Sequence, residues 1–298
     1  MKLSVFYHHV VCAAKEQDIS LEEELKQIRR MGIEYVEVDR EDAGRNETEI
    51  RELKALFDKC DLKVGCVYGT YDWEKDLSAR RSAQAVQEAG RQGLHLLQAR
   101  LLETNNIMLI PGFYDAGSAF WGVLFRKKQL RNMLEAMRSM TEEAVRKGFT
   151  VLIEDFDNEN SPISTIEGMR TFLDYIPELK VALDTGNLFF SGESVLEAQE
   201  LFADKISFVH LKDRLVLSEE DRNRLTPSEE AALGEKITGA GGREMYACAL
   251  GEGCIPIPEV LERLKDNGYD GILAMEFFGA SSYALAIRKS AEYIQSLL

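Results

Sequence analysis

Five cysteines, an odd number with no CxxC pair among them, count against a disulfide framework or a thiolate zinc site and point to reduced thiols in a cytoplasmic protein. No uncharged apolar run approaches the ~18 residues of a membrane span. The apolar start is interrupted at His8 and His9 with no small-residue cleavage site after it, so it reads as a first strand and not as a signal peptide. Basic residues are the scarcer charge, 36 against 51 acidic, and the net charge of −15 repels a phosphate backbone. A nucleic-acid partner is therefore not expected, nor is a membrane. No glycine-rich phosphate loop follows the first strand, which counts against a doubly wound dinucleotide fold.

What the 298 residues do contain is alternation. Strands are expected at KLSVFY, IEYVEV, LKVGCVY, NIMLIPG, FTVLIE, KVALD, ISFVH and GILAME, with amphipathic stretches between them. Ser20 and Asn46 each stand three residues before a glutamate at the head of such a stretch, and Gly32, Gly148 and Gly268 end others. Residues 163–175 and 193–202 read as shorter helices. Residues 113–127, rich in aromatics and glycine, read as a loop before a helix over 129–147. Eight units without an interdomain linker make a single (β/α)8 TIM barrel over 1–298, of the α/β class.

One connection breaks the rhythm. Asp184 follows Glu154 by 30 positions and His210 follows by 26, but Glu276 comes 66 later. The excess reads as an inserted segment between strands seven and eight, residues 214–250, suited to a lid or a dimer arm.

Four successive apolar runs end on residues able to bind a metal: TVLIE at Glu154, KVALD at Asp184, ISFVH at His210 and GILAME at Glu276. On a barrel these are the carboxyl ends of strands five to eight, where barrel enzymes keep their chemistry. Three carboxylates and an imidazole suit Mn²⁺, Mg²⁺ or Co²⁺, and admit Zn²⁺. Without a cation the three carboxylates repel one another. His8 and Glu37 end strands one and two and face the same mouth, and Trp73, Phe113, Tyr114, Phe120 and Trp121 form its aromatic rim.

The motifs ALDTGN (182–187), FVHLKD (208–213), LGEG (250–253) and GYDGILAME (268–276) resemble those of the sugar phosphate isomerase/epimerase superfamily. These are xylose isomerase-like TIM barrels that include ketose 3-epimerases, inosose isomerases and dehydratases, and endonuclease IV. The resemblance implies metal ligation by Glu154, Asp184, His210 and Glu276. It also implies acid–base catalysis by Glu154 and Glu276, which move a proton next to a carbonyl through a metal-stabilised enediolate. A small-molecule sugar is the implied substrate, with Lys212, His8 and Asn187 as candidate contacts, and the chain is open to homo-oligomer formation. Asn187 stands where the epimerase branch commonly has a histidine, and no arginine after strand seven is a clear match for that branch's substrate arginine. The alternatives are an inosose-type dehydratase, a metal-dependent endonuclease and a sugar-binding barrel without catalysis.

Overall fold

The computed structural model describes residues 1–75, 83–115 and 122–298. Eight parallel strands close on themselves as a (β/α)8 barrel: β1 (Lys2–Phe6), β2 (Ile33–Asp39), β3 (Lys63–Thr70), β4 (Asn106–Ile110), β5 (Thr150–Glu154), β6 (Lys180–Asp184), β7 (Ile206–Leu211) and, after the inserted segment, β11 (Ile272–Met275). β11 lies between β7 and β1, with Val5 opposite Met275 at the closing seam. No helix among the described residues is long and apolar enough to cross a membrane.

Alternation along the strands sorts the side chains. Residues turned outward, such as Val5, Val36, Ile153 and Val209, pack under the helices in the main core. Those turned inward form a separate, smaller cluster: Phe6, Cys66, Tyr68, Met108, Leu152, Ala182, Phe208 and Ala274. Side chains two positions apart share a face. Leu152 therefore sends Glu154 inward, Ala182 sends Asp184, Phe208 sends His210, and Ala274 sends Glu276. The polar quartet is the next layer above an apolar plug.

Several local expectations need correction. A helix over Tyr7–Glu16 follows β1 directly, so His8 lies in its first turn and not at a strand end. Its valines and histidines form helices poorly, and no side chain caps it. What holds it is burial of Tyr7, His9, Val10, Ala13 and Ala14 against neighbours that include the helix Tyr283–Leu297. The helix expected from 129 already begins at Gly122, and those expected from 163 and 193 begin at Ile166 and Val195. Thr165 caps the first of these two by accepting from Gly168 N at 3.1 Å. Trp73 is a core residue and not a rim aromatic: it is fully buried, stacked on Tyr71 with centroids 4.2 Å apart, and donates through Nε1 to Glu88 at 2.9 Å. Phe120 and Trp121 lie outside the described residues.

Between β7 and β11 the chain forms a three-stranded antiparallel sheet, in which β10 (Glu244–Ala247) pairs with both β8 (Arg214–Leu215) and β9 (Lys236–Thr238). Two short helices, Glu219–Arg224 and Pro227–Ala231, connect β8 to β9, each capped by the hydroxyl before it, Ser218 and Thr226. The glycine cluster makes a turn at Ala240–Gly242 between β9 and β10.

Glu37 points into the barrel and is fully buried. Ser4 Oγ donates to its Oε1 at 2.9 Å, Oε2 has no partner, and burial pushes the carboxyl up to about 8. Gly65 is required beside it, since a Cβ there would sit 2.4 Å from Glu37 Oε1. The native state thus favours the protonated acid. Its contribution to stability is full below the ordinary carboxyl value of 4.5 and is lost as pH rises towards 8. Glu37→Gln keeps an acceptor for Ser4 without the ionisation. The variant is expected to gain on wild type between pH 5 and 8, by up to about 4 kcal/mol, in urea unfolding at both pH values. A constant difference between the two proteins would contradict a buried neutral acid.

Candidate metal centre

Glu154, Asp184, His210 and Glu276 each offer a ligand atom, and these atoms all lie within 4.8 Å of one another. His210 Nδ1 is the hub, 2.5 Å from Glu154 Oε1 and 3.3 Å from Glu276 Oε2. All four side chains are buried. Asp184 divides its two oxygens. Oδ1 accepts the backbone N–H groups of Gly186 at 2.8 Å and Asn187 at 2.6 Å, while Oδ2 is buried without a hydrogen bond. An orphaned carboxylate oxygen costs about 1–3 kcal/mol or more. Placed beside two more carboxylates and an imidazole, it suits a divalent cation. The donor set fits such an ion, which Glu154, Asp184, Glu276 and His210 Nδ1 would hold.

Cationic side chains offset these acids. Lys212 continues the inward face two residues after His210; its Nζ pairs with Glu276 Oε1 and lies 4.0 Å from Asp184 Oδ2. Burial opposes its charge, but Asp157, Asp184 and Glu276 together raise its pKa above the ordinary lysine value. Burial likewise opposes protonation of His210, and Glu154 and Glu276 outweigh it, so the imidazole holds its proton well above the usual range. Glu276 is buried too, yet Lys212 and His210 keep it ionised far below the ordinary glutamate value. Burial raises Glu154 and pushes Asp184 up to about 7, against the pull of the same cations.

Asn187, expected as a substrate contact, has its side chain engaged with the protein. Nδ2 donates to Asp155 O at 2.7 Å and Oδ1 accepts from Lys212 Nζ at 2.6 Å. It therefore fixes the ammonium beside Glu276. Thr185 ties the ends of β6 and β7 together, its hydroxyl donating to Lys212 O at 2.7 Å and accepting from Lys212 N at 2.8 Å. A Cβ on Gly186 would come within 2.8 Å of the Lys212 side chain.

A cavity of about 420 Å³ opens beside the quartet. Phe6, Tyr68, Met108, Phe156 and Phe278 give it apolar walls, and Glu154, Glu276, Lys212 and Asn187 stand in it. His8 lines it as well, stacked on Phe278 with centroids 5.5 Å apart. Lining residues that went unnoticed in the sequence include Asp157 and Arg214. Arg214 follows Lys212 by two positions and so extends the inward alternation of β7, which was the available signal.

Asp213, flanked by these two cations, turns away from the cavity. Its oxygens accept four backbone N–H groups, those of Arg214 (2.8 Å), Gly251 (2.9 Å), Gly253 (3.0 Å) and Ile255 (3.1 Å). FVHLKD and LGEG are thus two halves of one knot.

A family model described as a xylose isomerase-like TIM barrel matches residues 25–297. The chain belongs to that family. Among curated relatives, an inosose dehydratase of Clostridium perfringens is 24% identical over 157 residues, 51% of this chain and 48% of that protein. An inosose dehydratase of Clostridium beijerinckii is 22% identical over 233 residues, 76% and 73% of the two chains. The first match spans about half the length of that relative. Solved structures share the fold along the whole chain. A D-allulose 3-epimerase from Methylomonas sp. gives a TM-score of 0.68 at 15% identity, covering 100% of this chain and 98% of that one. The IOLI protein with a bound zinc atom gives 0.69 at 14%, covering 100% and 98%. The probable 3-DHS dehydratase AsbF from Bacillus anthracis gives 0.67 at 20%, covering 99% of each.

Metal binding requires His210 to lose its proton, so affinity for Mn²⁺ or Co²⁺ is expected to rise with pH, with about one proton released per ion. Titration calorimetry in buffers of different protonation enthalpy checks this. Asp184→Asn should weaken binding by more than about 100-fold, whereas chelator-treated wild type should keep its circular dichroism, because Lys212 and His210 compensate the acids. Affinity that falls as pH rises would contradict the assignment.

Proposed function

We propose that the chain is a divalent-metal-dependent isomerase or epimerase of polyhydroxy ketones, acting by proton abstraction next to a carbonyl. The observation that carries this reading is the convergence of Glu154, Asp184, His210 and Glu276 from four neighbouring strands on one position beside a cavity of monosaccharide scale. A divalent cation bound there would supply Lewis-acid polarisation of the carbonyl and the adjacent hydroxyl.

The protein's own groups supply the proton chemistry. Glu276 is in the carboxylate form that a base requires, while the pairing with Lys212 and His210 that keeps it ionised also lowers its basicity. Glu154, raised by burial and bonded to His210, is equipped to hold and return a proton. They come from β5 and from the end of β11, two strands separated in the barrel by β6 and β7. A ketose between them loses a proton to one carboxylate and regains one from the other. Return to the opposite face of the same carbon gives an epimer, and return to the neighbouring carbon gives an isomer. The lysine ammonium, oriented by Asn187, faces the substrate oxygens, and Phe6 and Phe278 offer apolar faces to its C–H groups.

A second reading is supported by the curated relatives, which are inosose dehydratases. The same proton abstraction followed by loss of a β-hydroxyl gives dehydration, with the proton needed to release water coming from a neighbouring acid. Endonuclease-type chemistry has little support, because acidic groups outnumber cations among the described residues of the cavity wall.

Incubation of the Mn²⁺-supplemented protein with ketoses and inososes in D₂O separates the two readings. Deuterium is expected at the carbon next to the carbonyl, with the epimer or isomer accumulating reversibly. Glu154→Gln and Glu276→Gln should each slow exchange by about 10²–10⁴-fold. An irreversible product short of one water would establish dehydration instead. Exchange at wild-type rate in both variants would remove the pair from catalysis.

A further inference from the structure

Two side chains among the described lining residues carry fixed positive charge, Lys212 and Arg214, and both lie against one carboxylate. Arg214 Nη2 pairs with Asp157 Oδ2, and Lys212 Nζ is 3.8 Å from the same oxygen. The Arg214 side chain is only 4% exposed and that of Asp157 20%, so the pair is weakly screened by solvent. Lys212 is further engaged by Glu276 and Asn187. Arg214 Nε is buried and has no hydrogen-bond partner. Asp39, Asp42 and Glu235 add negative charge to the same wall.

A phosphorylated or carboxylated substrate needs free cationic donors, and Asp157 occupies the ones present. A neutral polyol does not. Its hydroxyls donate to the carboxylates of the wall without disturbing the pair. We propose that Asp157 is a specificity-determining residue, which holds Arg214 and Lys212 neutralised and so reserves the site for uncharged polyhydroxy ketones. The inference rests on the isomerase reading for its chemistry, but its consequence for binding does not depend on turnover. Specificity of this kind comes from a repulsive element set against the wrong ligand.

The test compares wild type with Asp157→Asn, both full-length and Mg²⁺-supplemented, by titration calorimetry with inorganic phosphate and with matched pairs of ketohexoses and their 6-phosphates. In wild type the unphosphorylated sugar of a pair should bind at least about tenfold tighter than its phosphate. In Asp157→Asn, phosphate and the sugar phosphates should gain at least about tenfold relative to the neutral sugars, an effect that shrinks with added salt. Adding Arg214→Gln should abolish that gain, and Asp157→Ser, a second replacement in case the amide does not fold, should reproduce it. Wild type preferring the phosphorylated partner, or no gain for inorganic phosphate in either folded Asp157 variant, would overturn the proposal. Absence of α-proton exchange on every ketose would defeat the isomerase reading alone, since phosphate binding is measured without turnover.

Discussion

Three carboxylates buried within 4.8 Å of one imidazole nitrogen are tolerable only if positive charge is buried with them, and much of the local structure answers to that requirement. Lys212 supplies part of the charge and the His210 proton supplies more. Holding a lysine ammonium inside a barrel then sets its own demands. Asn187 gives it an amide oxygen, Glu276 a carboxylate, and Thr185 fixes the backbone on either side of its Cα. Asn187 is placed in turn by its N–H on Asp184 Oδ1, which leaves Oδ2 as the oxygen turned to the centre. Each contact that steadies these buried charges also orients one of the four side chains.

The same reasoning connects the inserted segment to the centre. Asp213 follows Lys212 and accepts four backbone N–H groups, three of them from the 251–255 turn that follows β10. A Cβ on Gly253 would lie 2.1 Å from Asp213 Oδ1, so the turn approaches closer than any side chain would permit. The β8–β10–β9 sheet is therefore anchored where β7 delivers His210 and Lys212. It brings Glu235 and Ile237 to the cavity wall.

The strands and the convergence of the four polar side chains were legible in the sequence because both depend on a period of two. Once Leu152, Ala182, Phe208 and Ala274 face the barrel interior, Glu154, Asp184, His210 and Glu276 must follow. Elements that depend on distant partners were not legible. The helix Tyr7–Glu16 has poor propensity and no side-chain cap, and packing against the far end of the chain stabilises it. Trp73 looks like a rim aromatic until Tyr71 and Glu88 fold over it. Asn187 belongs to a recognisable motif, but its role follows from the position of Lys212, 25 residues on. Asp157 and Arg214 are 57 residues apart, and no local pattern announces that they meet.

The partition of the barrel interior explains why a demanding polar site can exist at all. Beneath the quartet lies an apolar plug of Phe6, Cys66, Tyr68, Met108, Leu152, Ala182, Phe208 and Ala274, broken by the single acid Glu37. The Phe6 and Phe208 rings contact His210 edge-on, with centroids 5.0 and 5.6 Å away, so shape helps to orient the imidazole, whose Nε2 has no hydrogen bond. That low-dielectric floor strengthens every charge interaction above it. It makes the pairing of Lys212 with Glu276 effective, and it makes any unpaired carboxylate expensive. A wetter floor would weaken the repulsion among the acids and, with it, their attraction for a divalent cation. The apolar plug is thus as much a part of the centre's chemistry as the ligands, and Glu37, protonated at neutral pH, is the form in which a carboxyl can reside in that plug without adding a fourth charge.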